Sequence, residues 1–492
     1  MLERFNNIDS KINEPIKKRK IQKPDLSLLK PSQKVAFDGL DHFVFKQNEN
    51  RMILVIGGPG NGKTYTISML IEDILYKHPE YVIAMTAPTN KAVKILKKTA
   101  IYKHPNLRYI TCAKLLELKP KYDNKGKLSF VKENKKNKID EGGGIAELDL
   151  LIIDEVSMLQ DPLFEHFYKA IYPMQSDFFA RDCKIIFLGD KDQIPPVSKK
   201  RRSLPSIPLR YEMRDVYNIP VFELTEPMRQ TGGNSILKLI NHVRERIHSN
   251  QNLLEGVESE VDEKGNGFIL VDRSDQKKLK EVMTTWFTSP EYEQNEDLCK
   301  IICYTNDKVD DYNRFIRRLT YPKGTPDYQI GERLIANKPV KGFDDVIIIH
   351  GSDEMVIQEK KESRVYDIDN NGYKTWELKV KVIGGFVHRI NIAHEDDLDR
   401  INYRESELDR TALEAQRKNK GSFAWKLKYE FLDMFADVSY IPALTGHKSQ
   451  GSTYEYVVVN YLDILKNTHI SERNKIFYVA ISRAAKRLII LR

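Results

Sequence analysis

The octapeptide Gly57-Gly58-Pro59-Gly60-Asn61-Gly62-Lys63-Thr64 constrains this chain more than any other stretch. It fits the pattern Gly-x-x-x-x-Gly-Lys-Ser/Thr. It lies between an apolar run at 51–56 (RMILVI) and a segment of helical spacing at 64–76. A strand before and a helix after are the context that this pattern needs. The glycines let successive backbone N–H groups turn inward around phosphates, and the helix N-terminus adds a partial positive charge. Lys63 can reach the β- and γ-phosphates of a bound nucleotide, and Thr64 can ligate Mg²⁺. All eight residues are therefore candidate ligands of ATP.

Downstream, apolar runs alternate with helix-like segments. Residues 81–86 (YVIAMT), 148–153 (LDLLII) and 184–188 (KIIFL) read as strands, and 90–98 as a helix. A second such pattern starts after Arg229, with strands at 300–304, 456–459 and 486–491. Strands alternating with helices imply parallel sheets with crossover helices, an α/β fold. Two stretches break the pattern. Residues 114–147 hold a Lys- and Asn-rich run (121–138), a turn signal at 123–126 and a closing Gly142-Gly143-Gly144, which together predict a small β-hairpin insertion with a flexible return. Residues 331–442 suggest short antiparallel strands at 345–349, 354–357 and 378–382, followed by a helix-rich, highly charged part at 396–433. The first 23 residues are polar, with a basic run at 17–20, and read as a flexible arm.

Asp154-Glu155 follows the apolar run LLII. A carboxylate at a strand end is where a second Mg²⁺-holding group belongs, so Asp154 is the candidate metal ligand beside Thr64, and Glu155 the candidate base for the attacking water. The four cysteines are too few and too scattered for a disulfide framework or a Cys-rich zinc site. No apolar run is long enough for a transmembrane helix, and the N-terminus lacks a signal-peptide core, so a cytoplasmic protein without a membrane partner is expected. The net charge of +9 favours a polyanionic partner.

Taken in order, the segments resemble superfamily 1 helicases, and within them the 1B group that includes RecD and the phage helicase Dda. Gln33 in KPSQKVAF matches the adenine-reading glutamine, and Gly57–Thr64 matches motif I. Residues 87–92 (APTNKA) match motif Ia, 154–158 (DEVSM) motif II, and 188–197 (LGDKDQIPPV) motif III with Gln193 as the γ-phosphate sensor. Residues 224–230 (LTEPMRQ) match motif IV with Arg229, 444–453 (LTGHKSQGST) motif V with Gly451, and 478–484 (YVAISRA) motif VI with Arg483. The sequence departs from the family at Thr111-Cys112-Ala113, where relatives often carry Thr-x-His.

The resemblance implies two RecA-like P-loop domains. The first spans 24–113 and 148–228 and carries the hairpin insertion (114–147). The second spans 229–330 and 443–492 and carries a β-rich, SH3-like insertion with a helical arm (331–442). Arg229 and Arg483 would reach the nucleotide from the second domain. Pro88, Thr89, Asn90, Thr111, Thr305, Asn306, Thr445 and His447 would line a nucleic-acid strand, and Tyr122 or Phe130 of the hairpin would stack at the point of strand separation. The implied activity is ATP- and Mg²⁺-dependent 5′→3′ unwinding of DNA by a monomer. Its partners would be single-stranded and forked duplex DNA, with a single-strand-binding protein or other replication protein beside them, in phage replication or recombination. Two alternatives stay open at this point: an RNA helicase of the same superfamily, and an ATP-gated single-strand binder that remodels protein–DNA complexes without processive unwinding.

Overall fold

A computed structural model of the protein describes residues 20–46, 50–100, 102–122, 128–132, 144–172, 182–196, 204–226, 235–342, 347–418 and 421–492. The basic run at 17–19, the turn at 123–126, Gly142, Gly143 and Arg229 lie outside them, as do the side chains of Tyr122 and Phe130.

The first α/β unit is a six-stranded, wholly parallel sheet. Its order is Leu107–Thr111, Ile83–Ala87, Leu150–Ile153, Lys184–Gly189, Met52–Gly57 and Val221–Leu224. A parallel sheet is covered on both faces, so its central strands must be apolar at every position. Met52–Gly57 and Lys184–Gly189 are buried throughout for that reason. Alternate residues of one strand feed two separate cores. Ile53 and Val55 pack with Ile67, Leu70 and Ile74 of the helix Lys63–Lys77. Met52, Leu54 and Ile56 face the other way, onto Phe164 and Phe167 of the helix Asp161–Ile171. The insertion appears as an antiparallel pair, Leu118–Tyr122 with Leu128–Lys132.

The second unit repeats the plan. Its six strands run Ala443–Thr445, Cys299–Cys303, Tyr454–Asn460, Ala484–Leu491, Gly267–Val271 and Glu260–Val261, all parallel except the last. Between the neighbouring strands Cys299–Cys303 and Ala443–Thr445 the chain leaves to build a five-stranded antiparallel sheet, in the order Val387–Ala393, Gly372–Val382, Glu354–Tyr366, Arg333–Ala336, Val438–Tyr440. Two of its strands are 13 and 11 residues long, where the sequence suggested short ones. The apolar signal covers only their inner ends: Met355, Ile357, Val380 and Val382 are in the core. Past a register shift between Ile357 and Glu359 the ladder continues as a polar ribbon. Cross-strand pairs hold it, such as Lys379 with Glu359 at 2.7 Å and Lys361 with Glu377 at 3.2 Å. The charged stretch at 396–433 folds as two helices, Leu398–Arg417 and Gly421–Asp433. They pack against the ribbon through Tyr373, Ile401, Leu408 and Phe431, while Arg404 pairs with Asp367 and Asp369. None of the described helices is long and apolar enough to cross a membrane.

One lysine fixes the helix ahead of the phosphate loop. Lys184 is 5% exposed, and its ammonium donates to the carbonyls of Phe43, Val44 and Lys46 at 2.6, 3.1 and 2.7 Å. These close the C-terminus of Pro31–Phe45, where carbonyls otherwise lack partners. Lys184→Met fills the same space without donors. It should lower the stability of the first unit by about 2–4 kcal/mol, because buried carbonyls are left unpaired. Urea unfolding followed by hydrogen exchange in residues 31–46 checks this; an unshifted midpoint would contradict it.

Candidate nucleotide and strand site

The phosphate loop joins the buried strand Met52–Gly57 to the helix Lys63–Lys77. Gly60 and Gly62 both adopt φ of +79°, which only glycine tolerates without strain. Lys63 Nζ donates to the carbonyls of Gly57 at 2.6 Å and Gly58 at 3.1 Å, so the ammonium lies over the loop. The Asn61 amide is buried and donates to Leu224 O at 2.6 Å. Gln33 is fully buried beside the loop: its Nε2 donates to Asn61 O at 3.0 Å, and its Oε1 accepts the Lys30 N–H at 3.0 Å. Its amide thus ties the start of the helix Pro31–Phe45 to the loop.

Asp154 and Glu155 stand at the carboxyl end of Leu150–Ile153. Glu155 has φ of +52°, a left-handed conformation that turns the chain sharply after the strand. Asp154 Oδ1 accepts the Glu155 N–H at 2.7 Å. Burial pushes both carboxyls above their usual range, and Asp154 adds to the shift at Glu155 while Arg483 and Lys63 oppose it. Gln193 lies beyond the end of Lys184–Gly189, the strand between the loop strand and the acid strand. Its Oε1 accepts Ser157 Oγ–H at 3.2 Å and, across the seam between the two units, Gln450 Nε2–H at 2.9 Å. Gln450 also donates to Ser157 Oγ at 3.2 Å. Gly451, next to it, has φ of +77°, and a side chain there would meet Glu155 Oε1 at 3.9 Å. No cluster of three or more His, Cys, Asp or Glu that could hold a metal occurs among the described residues. Metal binding would rest on Asp154 with Thr64.

The second unit brings Arg483 to this site, and further side chains besides. Arg483 is 6% exposed. It donates to Val479 O and Ser452 O, each at 3.0 Å, and to Ser482 Oγ at 2.7 Å. Burial lowers its pKa, and the Glu155 carboxylate of the first unit opposes the shift. The motif III loop is gripped by side chains from the second unit. Tyr478 OH donates to Asp190 Oδ2 at 2.8 Å, Arg244 Nε to Asp192 Oδ2 at 2.9 Å, and Lys475 Nζ to Lys191 O at 3.0 Å. His248 Nε2 lies 2.9 Å from Asp192 Oδ1, and Ile194 is buried in the hydrophobic core of the second unit. Sequence reading missed Gln450, Ser157 and Tyr478 as site residues although they lie inside quoted motifs. It missed Arg244 and His248 because they lie outside every motif.

The four threonines expected along a nucleic-acid strand share one geometry. Thr89, Thr111, Thr305 and Thr445 each stand at or just past the carboxyl end of a strand and cap a helix, accepting the N–H of Ala92, Lys114, Lys308 and Lys448. Each hydroxyl therefore has a structural job, and the two longer helices, Asn90–Thr99 and Asn306–Thr320, have N-termini that suit an anion. Thr305 differs from the rest. Its hydroxyl donates to Asp463, whose Oδ2 also accepts the N–H groups of Tyr304 and Thr305 at 2.9 and 2.8 Å. His447 sits 3.8 Å from Glu472, and burial lowers its pKa while Glu472 opposes the shift. Pro88 forms the turn into the helix that starts at Asn90, and Asn306 starts the helix after Thr305.

Gln450→Leu would remove every side-chain hydrogen bond from motif V to Gln193 and Ser157. Losing about 1–2 kcal/mol of polar contact across the seam should slow nucleotide hydrolysis roughly five- to thirtyfold, with nucleotide affinity little changed. Steady-state kinetics of hydrolysis measure both terms; a change in affinity alone would contradict the role.

Comparison with known proteins agrees with this layout. Residues 41–199 match the AAA domain family, and residues 440–491 match the UvrD-like helicase C-terminal domain. The chain is 26% identical over 514 residues to an uncharacterized protein of Acanthamoeba polyphaga mimivirus, covering 93% of this chain and 98% of that one. It is 25% identical over 455 residues to the ATP-dependent DNA helicase Dda of Enterobacteria phage T4, covering 88% and 93%. It is 28% identical over 193 residues to the ATP-dependent RecD2 DNA helicase of Deinococcus radiodurans, covering 38% and 21%. With the phosphate loop, the acid pair and motifs III, V and VI assembled across one seam, the chain resembles the superfamily 1B helicases, Dda and RecD among them.

Proposed function

We propose that the protein is an ATP-dependent DNA helicase that tracks 5′→3′ along single-stranded DNA and opens the duplex ahead of it. The observation that carries this reading is the bridge from Gln450 to Gln193 and Ser157. It joins the motif II and motif III elements of one unit to the motif V segment of the other, beside Glu155. Groups that touch a nucleotide and groups that line a strand are then parts of one body.

Lys63 and the loop amides bind the triphosphate. Thr64 and Asp154 would hold Mg²⁺, and one carboxylate with one hydroxyl suits an ion that takes its remaining oxygens from phosphates and water. Bound there, the ion neutralises charge on the β- and γ-oxygens. Glu155 is placed to orient the attacking water, with Gln193 beside it. Arg483 and Arg229 are the residues we assign to the charge of the transferring phosphoryl group, and Gln33 to the adenine. Thr89, Thr111 and Thr445 would hold strand phosphates, which fixes position without reading sequence. The hairpin insertion at 114–147 is assigned as the strand-separating pin, with Tyr122 or Phe130 as its stacking aromatic. Action as a monomer, with a single-strand-binding protein at the fork, completes the reading.

The resemblance to Dda and RecD supports the direction. A duplex with only a 5′ single-stranded tail should be unwound with ATP and Mg²⁺, and one with only a 3′ tail should not. Lys63→Ala should abolish unwinding and hydrolysis while single-strand binding largely survives. Unwinding from the 3′ tail alone would reverse the direction, and hydrolysis stimulated by RNA but not by DNA would favour the RNA-helicase alternative. Stimulated hydrolysis without strand separation on either tail would favour the remodeller.

A further inference from the structure

Arg244 lies on the helix Ser235–Arg246 of the second unit, outside the motifs read from the sequence. Its Nε donates to Asp192 Oδ2 at 2.9 Å, and that carboxylate, 3% exposed, meets His248 on its other oxygen. With Nε anchored, the planar guanidinium carries its two terminal amino groups beyond Asp192. One of them stands over the phosphate loop: a side chain on Gly58 would meet Arg244 Nη1 at 2.8 Å. The Gly58 carbonyl accepts from Lys63 Nζ at 3.1 Å. The ammonium of the first unit and the guanidinium of the second thus converge on one residue of the loop. Nη2 is 3.9 Å from Glu223, too far for a hydrogen bond.

Gly58 explains itself through this contact. Its φ is not among the positive values, unlike those of Gly60 and Gly62, so the backbone there does not require glycine. The phosphate-loop pattern also leaves this position free to vary. What the missing side chain allows is the close approach of Arg244. An arginine that served only as the ion-pair partner of Asp192 would need no such opening.

We propose that Arg244 is a further catalytic arginine of ATP hydrolysis. Its terminal amino groups contact the oxygens of the γ-phosphate held over Gly58 and Lys63, and Asp192 sets the angle at which the second unit delivers them. A guanidinium fork matches phosphate oxygens in a way that an ammonium does not. The proposal rests on the reading of residues 57–64 as the ATP site.

The test is steady-state ATP hydrolysis by the full chain with saturating single-stranded DNA, for wild type, Arg244→Ala, Arg244→Lys and Lys63→Ala. Arg244→Ala should lose about a hundredfold or more in kcat, as removal of a phosphate-contacting arginine does. KM for ATP should stay within about threefold, because the contact strengthens in the transition state. Arg244→Lys should stay nearly as slow. Guanidinium chloride below denaturing concentration should restore part of the Arg244→Ala rate. A kcat within about threefold of wild type, a loss confined to KM, or a loss that guanidinium leaves untouched overturns the proposal. Should Arg244→Ala fail to fold, a wild-type kcat in Arg244→Lys overturns it equally. Lys63→Ala separates the two layers: if it still hydrolyses ATP, the ATP-site reading itself falls. If it is inactive and Arg244→Ala is fully active, only the arginine assignment falls.

Discussion

A parallel sheet delivers the carboxyl end of every strand to the same edge, and the whole site depends on that. In the first unit Gly57, Ala87, Thr111, Ile153 and Gly189 all end on one rim, followed at once by loops or helix N-termini. In the second unit Cys303 and Thr445 do the same. Strand order then sorts the chemistry. Because Lys184–Gly189 lies between the phosphate-loop strand and the acid strand, the loop that follows it emerges between Lys63 and Asp154. Gln193 could not stand there if the order were different. The helices that follow point the same way, so their N-termini favour negative charge along the rim.

The carboxylates and the arginine that do intervene are held in an unfavourable medium. Burial raises Glu155 and lowers Arg483, and each is the other's favourable partner. Lys63 of the same unit also favours the Glu155 carboxylate, and Arg483 is hydrogen-bonded within its own unit to Val479, Ser452 and Ser482. The left-handed backbone at Glu155 adds strain on the order of 1–3 kcal/mol, sustained only because the strand before it and the short helix after it leave no alternative. Contact between the two units therefore relieves a local electrostatic penalty as well as assembling groups.

Much of this was legible in the sequence, for physical reasons. Strands buried on both faces must be continuous apolar runs, so 51–56 and 184–188 could be placed to within a residue or two. Phosphate loops need glycine where φ is positive, and Gly60 and Gly62 bear that out. The edge strand Val221–Leu224 escaped notice because only Leu224 is buried and the exposed Glu223 interrupts it. The outer ribbon of the five-stranded sheet escaped because residues 358–364 (QEKKESR) of its first strand are all polar, so no apolar alternation marks it. Thr305 was placed with the strand-lining threonines because nothing local shows that Asp463, 158 residues away, already holds its hydroxyl. Arg244 had no signal at all. Its significance exists only once Asp192 and Gly58 are brought beside it, whereas Arg483 could be found because it sits in a recognisable string of neighbours.

Ile194 gives the seam its mechanical character. It is a single apolar side chain, 1% exposed, that belongs to the chain of one unit and the core of the other. Around it lie polar partnerships: Gln193 with Gln450, Asp190 with Tyr478, Asp192 with Arg244 and His248. Withdrawing the peg would forfeit about 1.5–3 kcal/mol of burial. Each polar pair around it can exchange for water at a net cost of only about 0.5–1.5 kcal/mol, somewhat more where a charge is involved. A connection with an apolar centre and an exchangeable polar rim behaves as a ball joint. The rim can let go on one side and re-form on the other while the centre stays seated, so the two bodies can rock through many cycles without separating.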